Sequence, residues 1–138
     1  MQSNLPKVAF VCVHNACRSQ IAEALGRLLA PDVFDSFSAG TAIAPAIQPD
    51  AVRLVRERYG IDMAQHQRPK PLDALPDIDV LVTMGCNVEC PHVPAHVCLD
   101  WGLEDPTGGT DADFIACITH IENLIKQLRE ELLELLQN

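Results

Sequence analysis

Lys7-Val8-Ala9-Phe10-Val11-Cys12-Val13, running on through His14-Asn15-Ala16-Cys17 into Arg18-Ser19, is the stretch that decides the fold. Its first seven residues form a continuous β-branched and apolar run, the signature of a strand buried on both faces, as strands of parallel sheets are. A helix follows from Arg18 to Leu29, with Ile21, Leu25, Leu28 and Leu29 on one stripe and Ala30-Pro31 ending it. The alternation continues. Phe34 to Ala39 reads as a second strand closed by Gly40, and Pro49-Asp50 opens a helix carrying Val52, Val55 and Tyr59, stopped by Gly60 at C′. Gln65 to Pro76 holds three prolines and reads as a loop. Asp79 to Met84 is a third buried strand and Val97-Cys98-Leu99 a short fourth. Thr110-Asp111-Ala112-Asp113 resembles a capping box opening a long final helix. Its apolar face is Phe114, Cys117, Ile121, Leu124, Ile125, Leu128, Leu132 and Leu135. Strands separated by helices predict an α/β three-layer sandwich: a central four-stranded parallel sheet with right-handed crossovers and helices on both faces. Ligands of such sheets bind at the carboxyl ends of the strands, which points to the segments after Val13, Ala39, Met84 and Leu99.

The 138 residues are expected to form a single domain, 1–138. A hydrophobic share of 48% and a charged share of 21% exclude general disorder. The net charge of −9 argues against a broad nucleic-acid or anionic-membrane surface, so an anion must be handled locally, against the field of the whole molecule. The apolar run Val8 to Val13 is too short for a leader, and no stretch approaches transmembrane length, so a cytoplasmic protein without a membrane partner is expected. Six cysteines in that setting start reduced, and some are working thiols.

Cys12 stands at a strand end, with an arginine where the next helix begins. A loop of this kind turns successive N–H groups inward at the positive end of the helix dipole, making an anion nest from Val13, His14, Asn15, Ala16, Cys17 and Arg18. Arg18 adds a bidentate fork for two oxyanion oxygens. The same field favours the Cys12 thiolate, a nucleophile that Ser19 can hydrogen-bond. Asn15 tolerates the left-handed backbone that such a loop needs. The plainer reading is a core cysteine and an exposed helix-start arginine. Downstream, Cys86 and Cys90 follow strand three after Gly85, and a thiol pair at that edge suggests a redox relay. Zinc held among Cys86, Cys90, His92, His96 and Cys98 is the competing reading, weakened by Pro91 and Pro94. Cys98 and Cys117 read as inert core, and Cys17 is able to pair with Cys12 on oxidation. Asp105 precedes Pro106, which biases it to an extended conformation, pointing a carboxyl at the pocket as a general acid.

Three motifs then carry a resemblance: Val11-Cys12-Val13-His14-Asn15-Ala16-Cys17-Arg18-Ser19-Gln20 with Ile21-Ala22-Glu23-Ala24, Ser38-Ala39-Gly40-Thr41, and Trp101-Gly102-Leu103-Glu104-Asp105-Pro106. Together they resemble the low-molecular-weight protein tyrosine phosphatase superfamily, and within it the thioredoxin-coupled arsenate reductases, because the phosphatases typically have Pro where Gln20 stands. The resemblance implies a phosphatase-like fold and arsenate as substrate, with phosphate or sulfate competing. It implies Cys12 as nucleophile, Arg18 and Ser19 supporting it, and Asp105 as proton donor. Cys86 and Cys90 carry electrons onward to thioredoxin, with mycothiol or glutaredoxin as other possible donors. No organic cofactor or metal is implied. Some of these reductases hold potassium behind the loop on residues matching Asn15, Glu23 and Ser38. Here Gln67-Arg68-Pro69 lacks the acid that completes that site, so no potassium is expected, Arg68 or Lys70 supplies the charge, and Asn15 and Ser38 brace the loop by hydrogen bonds. The alternatives are a phosphatase using the same Cys12, Arg18 and Asp105, and a non-enzymatic redox or zinc-binding thiol module.

Overall fold

The sheet is built around its first strand. In the computed structural model, which describes residues 4–85 and 95–137, β1 (Lys7–Cys12) pairs in parallel with β2 (Asp35–Gly40) on one side and β3 (Val80–Thr83) on the other. β4 (Val97–Asp100) completes the order β2-β1-β3-β4. The connections run through α1 (Arg18–Leu29), α2 (Pro49–Tyr59) and α3 (Met63–His66), and α4 (Asp111–Gln137) ends the chain. The chain leaves β1 for β2 in one direction and later crosses to β3 in the other. The switch point therefore lies between the carboxyl ends of β1 and β3, where Cys12 and Met84 stand, the place where doubly wound sheets bind ligands.

The expected α/β architecture is observed, with its layers unequally filled. Val8, Phe10, Val80 and Val82 face a large core shared with Ile21 and Leu25 of α1 and with Phe114, Ile118, Ile121 and Ile125 of α4. Phe10 is its centre, with its ring 6.3 Å from Phe34 and 5.3 Å from Trp101. Alternate residues Ala9, Val11 and Leu81 point the other way, into a smaller cluster with Ile78, over which Phe37, Leu72 and Leu75 pack. This division follows from the two-residue period of a strand. No helix among the described residues is long and apolar enough to cross a membrane.

Local signals set several ends as expected. Gly60 takes a left-handed φ of 73° and donates its N–H to Arg56 O, stopping α2. Thr110 and Asp113 exchange side-chain-to-backbone bonds of 2.8 and 3.3 Å, the reciprocal cap of α4. Other expectations need correction. β1 stops at Cys12, since Val13 already belongs to the turning loop, and β2 starts at Asp35 because the Phe34 N–H is taken by Ala30 O in the turn after α1. β3 is shorter than Asp79 to Met84, whereas β4 gains Asp100. Within the expected 65–76 loop lie the end of α3 and a 3-10 turn, Leu72–Ala74. Asp62 starts α3 by accepting from the Ala64 N–H. Leu28 and Leu135 are 45% and 68% exposed, while Ile118, missing from the expected stripe, is fully buried. It lies four residues after Phe114 and three before Ile121, on the face that α1 covers. Cys98 is exposed rather than in the core, because β4 is an edge strand with a half-open face.

Candidate active site

The loop between β1 and α1 wraps around one sulfur. Asn15 turns it with a φ of 50°, the conformation its short amide side chain tolerates. That turn aims the Asn15 N–H at Cys12 Sγ, 3.2 Å away, while Ser19 Oγ lies 2.9 Å from the same atom. The Asn15 side-chain amide donates to Ser19 Oγ at 2.7 Å. Because Ser19 Oγ accepts from Asn15, its own proton is free to turn to the sulfur, and when Cys12 is a thiolate both groups donate to it. Cys12 itself is 4% exposed at the carboxyl end of the central strand.

The other thiols near this site are held neutral. Burial, reinforced by Cys117 and Asp105, drives Cys17 far above the ordinary thiol range in spite of Arg18. Burial likewise pushes Cys117 up to about 11 against the pull of Arg18. Neither carries a useful thiolate fraction near neutrality, so their positions beside the nest do not make them nucleophiles.

Arg18 ties three loop ends together. Its Nη1 donates to Leu103 O at 2.6 Å and to Met84 O at 3.1 Å, and its Nη2 stands 3.8 Å from Asp105 Oδ2. Gly85 makes this possible: with φ at 82° it lies so close to the next loop that a Cβ would meet Gly102 Cα at 2.5 Å. Asp105 accepts from Thr107 N at 3.0 Å. Burial pushes its carboxyl up, but Thr107, Arg18 and His14 together outweigh this, and the group sits below the usual carboxylate value. It is ionised at neutrality in this state, so the expected proton donor must first acquire its proton.

Cys12, Arg18 and Asp105 line one cavity of 340 Å³ with Val13, His14, Ala16 and Cys17. Its outer wall is aliphatic, from Ala44, Pro45, Ala46 and Ile47. The wall is laced to the nest by main-chain bonds from Ala42 N to Val13 O, Ala44 N to His14 O and Gln48 N to Ala16 O, of 2.8 to 3.0 Å. His14 has a role the sequence did not suggest: its Nδ1 lies 3.0 Å from Ala42 O. A wider cavity of 720 Å³ opens on the far side of the 102–109 loop and shares only Asp105 and Thr107 with the first.

Behind the nest stands a buried polar layer that sequence reasoning saw only in part. Ser38 donates to Glu23 Oε1 at 2.8 Å, and both are essentially inaccessible to solvent. The positive charge expected here comes from Lys70, whose Nζ lies 3.3 Å from Glu23 Oε1 and 2.9 Å from Arg68 O; Arg68 contributes its carbonyl and not its guanidinium. Gln20 was not a candidate, yet it is fully buried, with its amide nitrogen within 3.0 Å of Asn15 O, Asn15 Oδ1 and Arg68 O. A polar residue in the first turn of an otherwise apolar-facing helix was the signal for it. Cys86 and Cys90 lie outside the described residues, as does His92. Among the described residues no group of three or more potential ligands gathers for a metal, and Cys86, Cys90 and His92 of the zinc alternative lie outside them.

The Ser-Ala-Gly turn is a steric requirement of the site. A Cβ on Gly40 would stand 2.6 Å from Val13 O and 3.0 Å from Asn15 N. Both are backbone atoms of the nest and have no room to yield. Gly40→Ala is expected to cost ~1–3 kcal/mol of stability, as overpacking does, and to lower kcat/KM more than tenfold by displacing Asn15. Thermal melts and steady-state rates measure the two effects. Unchanged kinetics would mean that this contact does not shape the nest.

The family model described as low molecular weight phosphotyrosine protein phosphatase matches residues 7–138. The arsenate reductase of Brevibacillus brevis is 35% identical over 131 residues, 92% of this chain and 96% of that protein. A solved arsenate reductase in the phosphate binding state superposes with a TM-score of 0.83 at 30% identity, covering 93% of this chain and 99% of the other. The thioredoxin-dependent arsenate reductase of Corynebacterium glutamicum gives a TM-score of 0.74 at 34% identity, covering 96% of this chain and 64% of that one.

Proposed function

The chain belongs to the low molecular weight phosphotyrosine protein phosphatase family, and on that premise we propose that it is an arsenate reductase recycled by thioredoxin. Relatives of matching length bearing that name support the activity, and a thioredoxin-dependent structural neighbour supports the electron donor. The single observation that carries the reading is the seat of Cys12 Sγ, which accepts from Asn15 N and lies 2.9 Å from Ser19 Oγ, inside a nest closed by Arg18.

Arsenate enters the nest and takes the Arg18 fork. Its charge then shields Asp105 from the guanidinium 3.8 Å away, so the carboxylate accepts a proton from the incoming oxyanion. Cys12 thiolate attacks arsenic, forming the S–As bond, and Asp105 returns the proton to the departing oxygen, which leaves as water. Cys86 thiolate next attacks Cys12 Sγ. The S–As bonding pair goes to arsenic, which falls from As(V) to As(III), and arsenite leaves behind a Cys12–Cys86 disulfide. Cys90 attacks Cys86, releasing the Cys12 thiolate, and the thioredoxin dithiol reduces Cys86–Cys90. Two electrons pass in each cycle.

The rival phosphatase reading uses the same Cys12, Arg18 and Asp105. Two features disfavour it: the pocket wall is aliphatic where a phenyl ring would be gripped, and the first-turn residue is Gln20, whose side chain binds Asn15 where a proline has no donor. The deciding experiment is arsenite production with thioredoxin, thioredoxin reductase and NADPH, run beside p-nitrophenyl phosphate hydrolysis. Hydrolysis without arsenite formation refutes the proposal.

An oxyanion should also stabilise the native state. Phosphate, sulfate or arsenate at a hundredfold excess over its dissociation constant adds ~2.7 kcal/mol, because only the folded chain has the nest. Each anion should slow alkylation of Cys12 as well. Arg18→Lys should reduce both effects severalfold, since a single ammonium cannot hold Leu103 O and Met84 O and also offer the anion a planar fork. Melting temperatures and alkylation rates that ignore millimolar oxyanion would refute the pocket assignment.

A further inference from the structure

Glu23 is the one fully buried carboxylate among the described residues, and a buried charge must be paired. Arg27, one helical turn later, already pairs with its Oε2 at 3.2 Å. Yet Oε1 also holds the Lys70 ammonium at 3.3 Å, together with Ser38. The second partner has a consequence that the first does not. Lys70 lies in the 67–71 segment, which crosses behind the nest, and the ammonium also reaches Ser38 Oγ at 3.4 Å and Arg68 O at 2.9 Å. It ties that segment to itself, to α1 and to β2.

The segment acts on the nest through one main-chain donor. Lys70 N donates to Asn15 Oδ1 at 2.8 Å, and the Gln20 amide nitrogen reaches the same oxygen at 3.0 Å. Gln20 is itself oriented by Gln67, whose amide donates to Gln20 Oε1 at 2.7 Å. Two donors on one amide oxygen fix which end of the Asn15 carboxamide is which, since the reversed amide would set NH2 against two N–H groups. The NH2 end must then face Ser19 Oγ, 2.7 Å away, which leaves the Ser19 proton free to point at Cys12 Sγ, 2.9 Å from it. Lys70 O meanwhile accepts from Gly40 N at 2.8 Å, which keeps the donor in register.

We propose that Lys70 is a positioning residue for Cys12: its ammonium, seated on Glu23 and Ser38, holds the 67–71 segment so that the Lys70 N–H sets the direction of the Asn15–Ser19–Cys12 hydrogen-bond chain. The inference rests on Cys12 being the nucleophile of the proposed reaction. Its test reads the sulfur without arsenate, so failure of the reductase assignment and failure of this inference are separable.

The test is the pH dependence of Cys12 alkylation by iodoacetamide, followed by peptide mapping, in the wild type and in Lys70→Met, Lys70→Gln and Lys70→Arg. With the pin removed, the Met and Gln variants should show a midpoint raised by about one pH unit, equivalent to ~10-fold slower alkylation below it. Lys70→Arg retains the charge and should stay near the wild type. If Lys70→Met fails to fold, Lys70→Gln, which keeps a donor for Ser38 and Arg68 O, supplies the reading. Asn15→Gly preserves the left-handed turn but cuts the chain, so in that background Lys70→Met should add no further shift. A full shift there would mean that the ammonium acts by direct field, and would overturn the proposal. So would neutral variants whose melting temperature falls while the midpoint stays.

Discussion

Cys12→Ser abolishes arsenate reduction and any hydrolysis of p-nitrophenyl phosphate, by at least ~10⁴-fold in kcat, as removal of a covalent nucleophile does. The surroundings make the outcome specific. The Asn15 N–H donates to Sγ, and the Ser19 hydroxyl, 2.9 Å away, is able to donate to a thiolate there. A serine hydroxyl in the same place stays protonated at neutral pH, so its oxygen can accept from the same donors but remains a neutral, weak nucleophile. Its smaller, shorter-bonded oxygen also stands further from a bound arsenic. The fold should tolerate the change, because Cys12 ends β1 beside the cavity and does not fill the middle of the core. The measurements are thioredoxin-coupled NADPH oxidation, arsenite formation and a thermal melt. Turnover above background in a folded variant would remove Cys12 from the mechanism.

Cys86→Ser is expected to be as severe at a later stage. With no thiol to attack Cys12 Sγ, the arsenic adduct persists and arsenite release falls to background. Cys17 is a poor substitute, since burial beside Cys117 and Asp105 keeps it protonated. Cys90→Ser differs: it permits one turnover and traps a Cys12–Cys86 disulfide, while thioredoxin-driven cycling falls steeply because Cys86–Cys90 cannot form. The described residues bring the chain to Cys86 beside β1. Met84 follows the strand adjoining β1, its carbonyl held by Arg18 and its N–H donated to Val11 O at 3.2 Å, and Gly85 precedes Cys86 against Gly102. The chain thus reaches the proposed relay next to the Cys12 strand. Peptide mapping after one equivalent of arsenate decides the matter. A Cys12–Cys17 bridge in Cys90→Ser, with Cys86 still alkylatable, would overturn the relay and favour the phosphatase reading.

The β1 sequence determined a great deal by itself. An unbroken apolar run from Val8 to Val13 has no solvated face, so it had to be an inner strand of a covered sheet, and all of it but Val13 lies in β1, paired on both sides. The left-handed turn at Asn15, the stop at Gly60 and the cap at Thr110 were equally local, because each is a property of a few neighbouring dihedrals and one side chain. So was the placement of Cys12 at a strand end and of Arg18 at the start of the next helix, on which the proposed nucleophile and its arginine rest. Periodicity also carried most of α4, failing at Ile118 and Leu135, where the partner helix rather than the helix itself decides which flank is covered.

Tertiary structure decided whatever depends on residues far apart in the chain. Arg18 bonds to carbonyls 66 and 85 residues away, and that cage is absent from any local pattern. The charge on Asp105 is set by a balance between burial and Thr107, Arg18 and His14, so the sequence named a proton donor where the free protein holds a carboxylate. Cys98 looked like core and is exposed, because only sheet order makes β4 an edge. Lys70, in a proline-rich stretch that reads as plain loop, is brought 3.3 Å from Glu23, 47 residues earlier. Its main-chain N–H reaches Asn15 across 55 residues. A hydrogen-bond chain has direction only when both ends are in place, and the sequence could name its links but not orient them.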